Sequence, residues 1–404
     1  MMELTCHNNS RVRLYDSSNI DNLACSNSEI SKFIQTYWIP MMKTGSANFI
    51  KNVNTDMYVI TVDDLVLPIT VNHKENGVIT RTEISNSKLE NSYVCSPYNH
   101  YITYTKAELL TLKNPILEKV LAIVIDFLGK IAHIGSIDQV AIAHNLMLST
   151  NLYPELSKDQ IQAITEYLKY QFPDKAIIFR SINTFINDDL LNDFKLNQYR
   201  LIGSRQIYLF NPHEKSALRT KMRWRLKQDE ALIKKNGYEI IQKHQLTFKD
   251  IPRIVELYNF LYLDKYSIHN PQFTENFIEL VLKNPMWEFQ ALKKAGKIDG
   301  VIGFYIVNGM MTTPILGYDN SLPQQLGLYR MLSVLLTIEA SKQGLILHQS
   351  SGAAEFKRFR GFIGNIEYSA IYHQHLPLQR KLIWLFLELL VNQIAVPLMK
   401  KYQL

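Results

Sequence analysis

Apolar residues along the second half of the chain switch between two spacings, and each switch marks a new element. Ile251, Ile254, Val255, Tyr258 and Leu261 fall on one face of a helix over Thr247–Leu263. Thr247, with Asp250 three residues on, opens it as in a capping box. A second helix is expected over Thr274–Lys283. Strand-like runs then follow at Trp287–Lys293, Ile298–Val307 and Met310–Tyr318, joined by turns at Ala295-Gly296-Lys297 and Asn308-Gly309. Asn-Gly between apolar runs signals a hairpin, because both central residues of a type I′ turn need positive φ. A polar loop, Asp319–Gln325, leads into an amphipathic helix over Gly327–Gln343 with Leu328, Met331, Leu332, Leu335 and Leu336 on its core face. Gly344 stops that helix. A strand at Leu345–Gln349, a short helix at Ala353–Arg360 and a strand at Asn365–Tyr372 complete the series.

The first half is less regular. Residues 1–54 are polar and rich in Asn and Ser, apart from a helix-like piece at Ile30–Trp38. Met57–Val71 reads as two strands around the turn Asp63-Asp64, followed by extended pieces at Gly77–Ile84 and Tyr93–Pro97. Helical stretches are expected at Lys106–Leu112, Pro115–Ile131 and Ser157–Tyr170, the last opened by Ser157 with Gln160 three residues on. Lys175–Ile182 and Gln198–Phe210 read as strands, Glu214–Lys235 as a basic amphipathic helix, and Tyr238–Lys243 as a strand. This is an α/β chain of two mixed-sheet halves, divided into 1–172 and 173–404 with 214–235 as a linking helix. Both halves run strand hairpin then helix, but no repeat is visible in the residues themselves.

Composition narrows the class. With 404 residues and 47% apolar content, two ordinary cores are expected and disorder is not the theme. The net charge of +7 suits an anionic partner without selecting one. Cys6, Cys25 and Cys95 offer neither a disulfide framework nor a metal site, which fits a reducing, cytoplasmic setting. The polar start, Met1–Arg13, holds no secretory signal. Leu382–Met399 is apolar but interrupted by Glu388, Asn392 and Gln393, so a half-buried terminal helix is expected rather than a membrane span.

At the end of the meander stands Gln324-Gln325-Leu326-Gly327-Leu328-Tyr329, which resembles the pyrophosphate loop of the GNAT N-acyltransferases. Gln324 and Gly327 match that pattern, and Tyr329 stands where a small residue is usual. A loop of this kind works because unpaired backbone N–H groups at a helix N-terminus meet an anion, and glycine permits close approach. Pro314 inside Met310–Tyr318 marks an edge or a bulge, where the GNAT fold splays two strands to admit the pantetheine arm. Gly327 to Arg330, His348 to Lys357 and Arg358 to Gly361 resemble the FemAB and CelD-like branch, which carries two GNAT-like halves.

The resemblance implies acyl transfer from acyl-CoA to a small-molecule amine by direct attack, with no metal. The cofactor contacts it implies are Leu316, Gln324, Gln325, Leu326, Gly327, Leu328, Tyr329 and Arg330. Asp319, Glu355 and Tyr266 are the catalytic candidates, and Tyr262, Asp264, Lys265, Ser350, Ser351 and Lys357 the substrate wall. Each has an ordinary use beside this one: Asp319 as a turn residue, Ser350 and Ser351 as helix caps, Glu355 and Lys357 as solvated charges. Two alternatives stand with the first reading. One is an aminoacyl-tRNA-dependent transferase acting on a cell-wall precursor, using Lys215, Arg219, Lys221, Arg223, Arg225 and Lys227 around Trp224; the other is a GNAT pair that only binds. Arg180 and Arg205 lie in apolar runs, where each is expected to need an anionic partner.

Overall fold

In the computed structural model both meanders are arms of one mixed sheet. Residues 1–2, 6–10, 25–27, 74–77, 80–88, 110–113, 215–219 and 403–404 are not described. Cys6, Cys25, Lys215, Arg219 and parts of the expected elements Gly77–Ile84 and Lys106–Leu112 therefore lie outside the described residues.

The strands in chain order are β1 (Glu3–Thr5), β2 (Arg11–Tyr15), β3 (Asp56–Val62), β4 (Leu65–Val71), β5 (Val78–Ile79), β6 (Leu89–Glu90), β7 (Val140–Ala143) and β8 (Ala176–Asn183). They continue as β9 (Arg200–Phe210), β10 (Glu239–Gln242), β11 (Trp287–Lys294), β12 (Lys297–Val307), β13 (Met310–Tyr318), β14 (Ile346–His348) and β15 (Ile363–Tyr372). β5 and β6 pair only with each other. The rest form a 13-stranded sheet ordered β1-β2-β3-β4-β7-β8-β15-β9-β14-β13-β12-β11-β10.

That order contains a repeat the residues do not display. In each half four strands run antiparallel, β2-β3-β4-β7 and β10-β11-β12-β13. A helix, Lys158–Gln171 or Leu328–Gln343, then crosses over to a parallel fifth strand, β8 or β14. A shorter helix, Asp188–Leu196 or Ala354–Arg358, leads to the sixth strand, β9 or β15. The sixth strands are exchanged: β15 lies between β8 and β9, and β9 lies between β15 and β14. Their central antiparallel ladder runs from Ile363 opposite Leu209 to Ile371 opposite Arg200. Residues 176–210 thus continue the strand succession of the first half, past the 172/173 division drawn from the sequence.

Local chemistry accounts for most of the elements. Asn308 and Gly309 both take positive φ, at 50° and 72°, as their hairpin requires. Ser157 and Gln160 form a reciprocal capping box. Tyr93 to Pro97, expected to be extended, is a turn into the helical segment around Asn99–Tyr104. The helix expected over Thr247–Leu263 is α-helical only at Ile251–Asn259 and widens into a π-turn over Phe260–Tyr266. Pro314 sits where the β12–β13 register shifts between Gly303 and Tyr305, so its missing N–H falls at a bulge.

The C-terminal helix, Leu378–Leu390 and onward to Tyr402, presses Trp384, Leu387, Val391 and Val396 into a core with Ile202 and Ile366. Asn392 accepts from the Gly203 N–H at 2.9 Å and donates to the Leu201 carbonyl at 2.8 Å. Leu378, Leu382, Leu389 and Ile394 face outward. Leu378–Tyr402 is long and apolar enough to cross a membrane by length and composition.

Candidate active site

β13 and β14 pair only over Met310–Thr312 and Ile346–His348. Beyond that point β13 runs on through Tyr318 while β14 has ended, so residues 313–318 have no strand neighbour on that side. The chain after β14 turns sharply, with positive φ at Ser350 (52°), Gly352 (78°) and Ala353 (49°). Such left-handed residues outside glycine cost conformational energy and cluster at functional sites. The two segments diverge, and the space between them is the candidate cleft.

Tyrosines wall it. Tyr262 stacks on Tyr258 at 4.7 Å between ring centroids and lies 6.2 Å from Tyr266. Tyr329 lies 6.3 Å from Tyr318 and 4.9 Å from Phe356. The Tyr266 hydroxyl comes within 3.9 Å of where a Cβ on Gly352 would lie, so it reaches across the cleft mouth. Lys265 donates to the Tyr318 hydroxyl at 3.4 Å. Burial raises the pKa of Tyr266, partly offset by Lys265. Burial, reinforced by their tyrosine neighbours, likewise raises those of Tyr262 and Tyr329. All three hydroxyls stay protonated at neutral pH.

Lys357, 1% exposed, holds the turn together from below. Its Nζ donates to the carbonyls of Gln349 (2.6 Å), Ser351 (2.8 Å) and Ser350 (3.3 Å) and lies 5.4 Å from the Tyr208 ring centroid. Burial, with Arg205 adding repulsion, brings its pKa down to about 7. Deeper in the sheet, Arg205 on β9 meets Glu367 on β15 at 2.9 Å and donates to Ser350 Oγ at 3.0 Å. His348 Nε2 stands 3.5 Å from the same carboxylate. Burial would raise the Glu367 pKa, but Arg205 and His348 bring it down to about 2.

The expected pyrophosphate loop takes the expected local shape: a single 3-10 turn at Gln324–Leu326, Gly327 at φ 73°, then the Leu328–Gln343 helix. Its surroundings differ from the expectation. The basic helix, Thr220–Lys235, lies across it, with Leu232 Cδ1 2.9 Å from the Cβ position of Gly327 and Asn236 donating to the Leu326 carbonyl. Fully buried Asp229 on that helix binds Arg330 at 2.6 Å and also Arg360. Arg330 therefore shares the one Asp229 carboxylate with Arg360, and Leu232 lies against Gly327. Gln324 and Gln325 are exposed, while the side chains of Leu316 and Leu328 are in the core.

Among the three catalytic candidates the structure separates the roles. Asp319 is buried and bound by Arg253 at 2.6 Å and Lys297 at 3.0 Å. Burial alone would raise its pKa, but hydrogen bonds from Ser321, Arg253 and Lys297 hold it well below the ordinary range. A carboxylate so held anchors the end of β13 and is a poor proton acceptor, which favours its use as a turn residue over its expected part as a base. Glu355 is exposed on the rim, and Tyr266 faces the cleft. Ser350 and Ser351 shape the wall through their carbonyls, and Asp264 is exposed. Sequence reasoning missed Glu367, His348 and Asp229; an arginine in an apolar run pointed to such partners without naming them. Arg205 meets that expectation. Arg180 does not: it donates to the Val94 carbonyl at 2.9 Å and to Asn145 Oδ1 at 3.1 Å. Among the described residues no cluster of three or more His, Cys, Asp or Glu is placed to hold a metal.

No protein-family model and no curated protein matches this sequence. Solved structures do match in part. L-PGS from Bacillus licheniformis is 14% identical over 58% of this chain and 78% of its own, with a TM-score of 0.43. FemX is 9% identical over 57% and 80%, with a TM-score of 0.42. A GCN5-related N-acetyltransferase from Kribbella flavida is 10% identical over 58% and 82%, with a TM-score of 0.31.

Proposed function

We propose that the chain transfers an acyl or aminoacyl group from an activated carrier to an amine in the cleft beside β13. The observation that carries this is the divergence of the parallel strands β13 and β14 after Thr312 and His348. An extended donor arm can add to the edge of residues 313–318 that β14 leaves unpaired, as a further strand, and a backbone N–H there can polarise the reacting carbonyl. The amine attacks that carbonyl carbon, the C–N bond forms, and the bond to the carrier breaks. Tyr266, kept protonated by its raised pKa, donates the proton that the leaving sulfur or oxygen takes up. The proton lost by the amine leaves to water at the open rim, where Glu355 stands. Lys357 is a positioning residue, fixing the carbonyls of the Gln349–Ser351 turn.

The surroundings of Gly327 favour an aminoacyl-tRNA over acyl-CoA as carrier. A CoA diphosphate needs open backbone at Gly327 and finds Leu232 there, with Arg330 turned onto Asp229. The covering helix exposes Lys221, Arg223, Trp224 and Lys227, a basic and aromatic surface suited to a nucleic-acid backbone. Transfer to an amine is measured in parallel from a labelled aminoacyl-tRNA and from acetyl-CoA. Transfer from acetyl-CoA alone reverses the carrier, and transfer from neither leaves the binding-scaffold reading in its place. Tyr266→Phe is expected to lower turnover by about 10²–10⁴-fold with donor affinity unchanged. Undiminished turnover removes Tyr266 from the mechanism.

A further inference from the structure

The exchanged topology gives the first half a divergence of its own. β7 and β8 pair up to Ala143 opposite Phe179, and two residues later Ser181 takes φ 66°. In the second half Thr312 lies opposite His348, and two residues later Ser350 takes φ 52°. The second-half opening is the tyrosine cleft. The first-half opening is a cavity of about 410 Å³, beneath the loop that joins β7 to the Lys158–Gln171 helix and closed on one side by Met310 and His348. That volume lies in the ordinary range for small-ligand pockets.

Its lining is polar in an uncompensated way. Asn151 is 2% exposed, and its Oδ1 accepts from the Leu146 N–H at 3.0 Å, which fixes the amide orientation. Among the described residues its Nδ2 then has no partner, and neither does the Oγ of Ser181, 4% exposed. Buried donors left unsatisfied cost free energy that a ligand acceptor would recover. Glu155, Asp189 and Asp193 stand among the lining residues, which include no Lys or Arg. His348 on the inner wall has its pKa lowered, by burial above all, and is neutral at pH 7. An anion is therefore repelled, and a wholly apolar guest would leave Asn151 and Ser181 unpaired. Leu152, Leu156 and Leu190 offer apolar wall for a hydrocarbon portion.

We infer that this cavity is a second small-molecule site, for a cationic amine that also presents a hydroxyl or carbonyl oxygen and bears no anionic group. The ammonium meets the carboxylates at the mouth, and the oxygen accepts from Asn151 Nδ2. Binding here is independent of the transfer proposed above and is tested without it. Calorimetric titration and thermal shift are run on the full chain with two matched pairs, leucinamide against leucine and glucosamine against glucosamine 6-phosphate. At least one cationic member is expected to bind saturably, and its anionic counterpart is not. Asp193→Asn and Ser181→Gly are each expected to weaken that binding about tenfold or more. The glycine accepts the positive φ at 181, so the second variant removes the hydroxyl without forcing the backbone. Tyr266→Phe should bind as tightly as the parent. The inference is overturned if neither cationic probe binds at about 10 mM, if the anionic members bind equally well, or if both cavity variants keep full affinity with an unchanged urea midpoint.

Discussion

Glu367 and Arg205 are 162 residues apart in sequence and meet on the central ladder of the sheet. The pair was half legible: an arginine in an apolar strand announces a need for a counter-charge, but nothing in the alternation of β15 says that Glu367 supplies it. Glu367→Gln leaves the guanidinium buried beside a neutral amide, and a loss of about 3–5 kcal/mol is expected from urea denaturation at neutral pH. The pH dependence has a definite sign. The folded carboxyl titrates at about 2, below its ordinary unfolded value, so the unfolded chain takes up the proton first as pH falls. The stabilisation is whole above about pH 5 and is lost progressively toward pH 2. Glu367→Gln should therefore flatten the acid limb of a stability–pH curve as well as lower its plateau; a parallel, unflattened limb would show the pair to be electrostatically idle. Lys357, expected on the substrate wall with a solvated charge as its ordinary alternative, is buried, because the loop it clamps is assembled only when β14 docks against β9.

At the scale of elements, spacing located most of the second half. The meander, its Asn308–Gly309 turn and the helix into Gly344 form as the residue pattern requires, because their signals are local. The π-turn over Phe260–Tyr266 carried no such signal; it turns Tyr262 and Tyr266 toward the cleft while Leu261 remains in the core. Packing between elements is tested at two glycines. A Cβ on Gly317 would sit 2.5 Å from the carbonyl carbon of Leu257, whose helix lies against β13. A Cβ on Gly300 would meet the Leu332 side chain first, at 3.1 Å. Backbone cannot step aside and a leucine rotamer can, so Gly317→Ala should cost about 1–3 kcal/mol and Gly300→Ala less. The two urea midpoints decide it; equal shifts would mean that the helix seat on β13 is soft.

Across the whole molecule the decisive feature is the exchange of sixth strands. β8 and β9 have β15 between them, and β14, paired with β13 on its other side, reaches β15 and the first half only through β9. A chain divided within 211–219 should give two pieces, neither unfolding cooperatively alone, that recover a cooperative transition when mixed. Either piece unfolding alone at the intact protein's midpoint would show that the exchange is dispensable. By itself the sequence determined the succession of elements in the second half, several caps and turns, and an α/β class of two mixed-sheet halves, since period, capping and turn chemistry act within a few residues; β2, β7 and the helix Asp188–Leu196 were not among the expected elements. Only the tertiary structure decided which strand lies beside which, because an apolar strand pairs equally well in pattern with several neighbours and the choice is made by non-local contacts. The same holds for the helix over Gly327, the ion pairs that occupy Asp319 and Arg330, and the cavity beside Ser181. Each depends on at least one contact between residues more than sixty apart, where spacing along the chain carries no information.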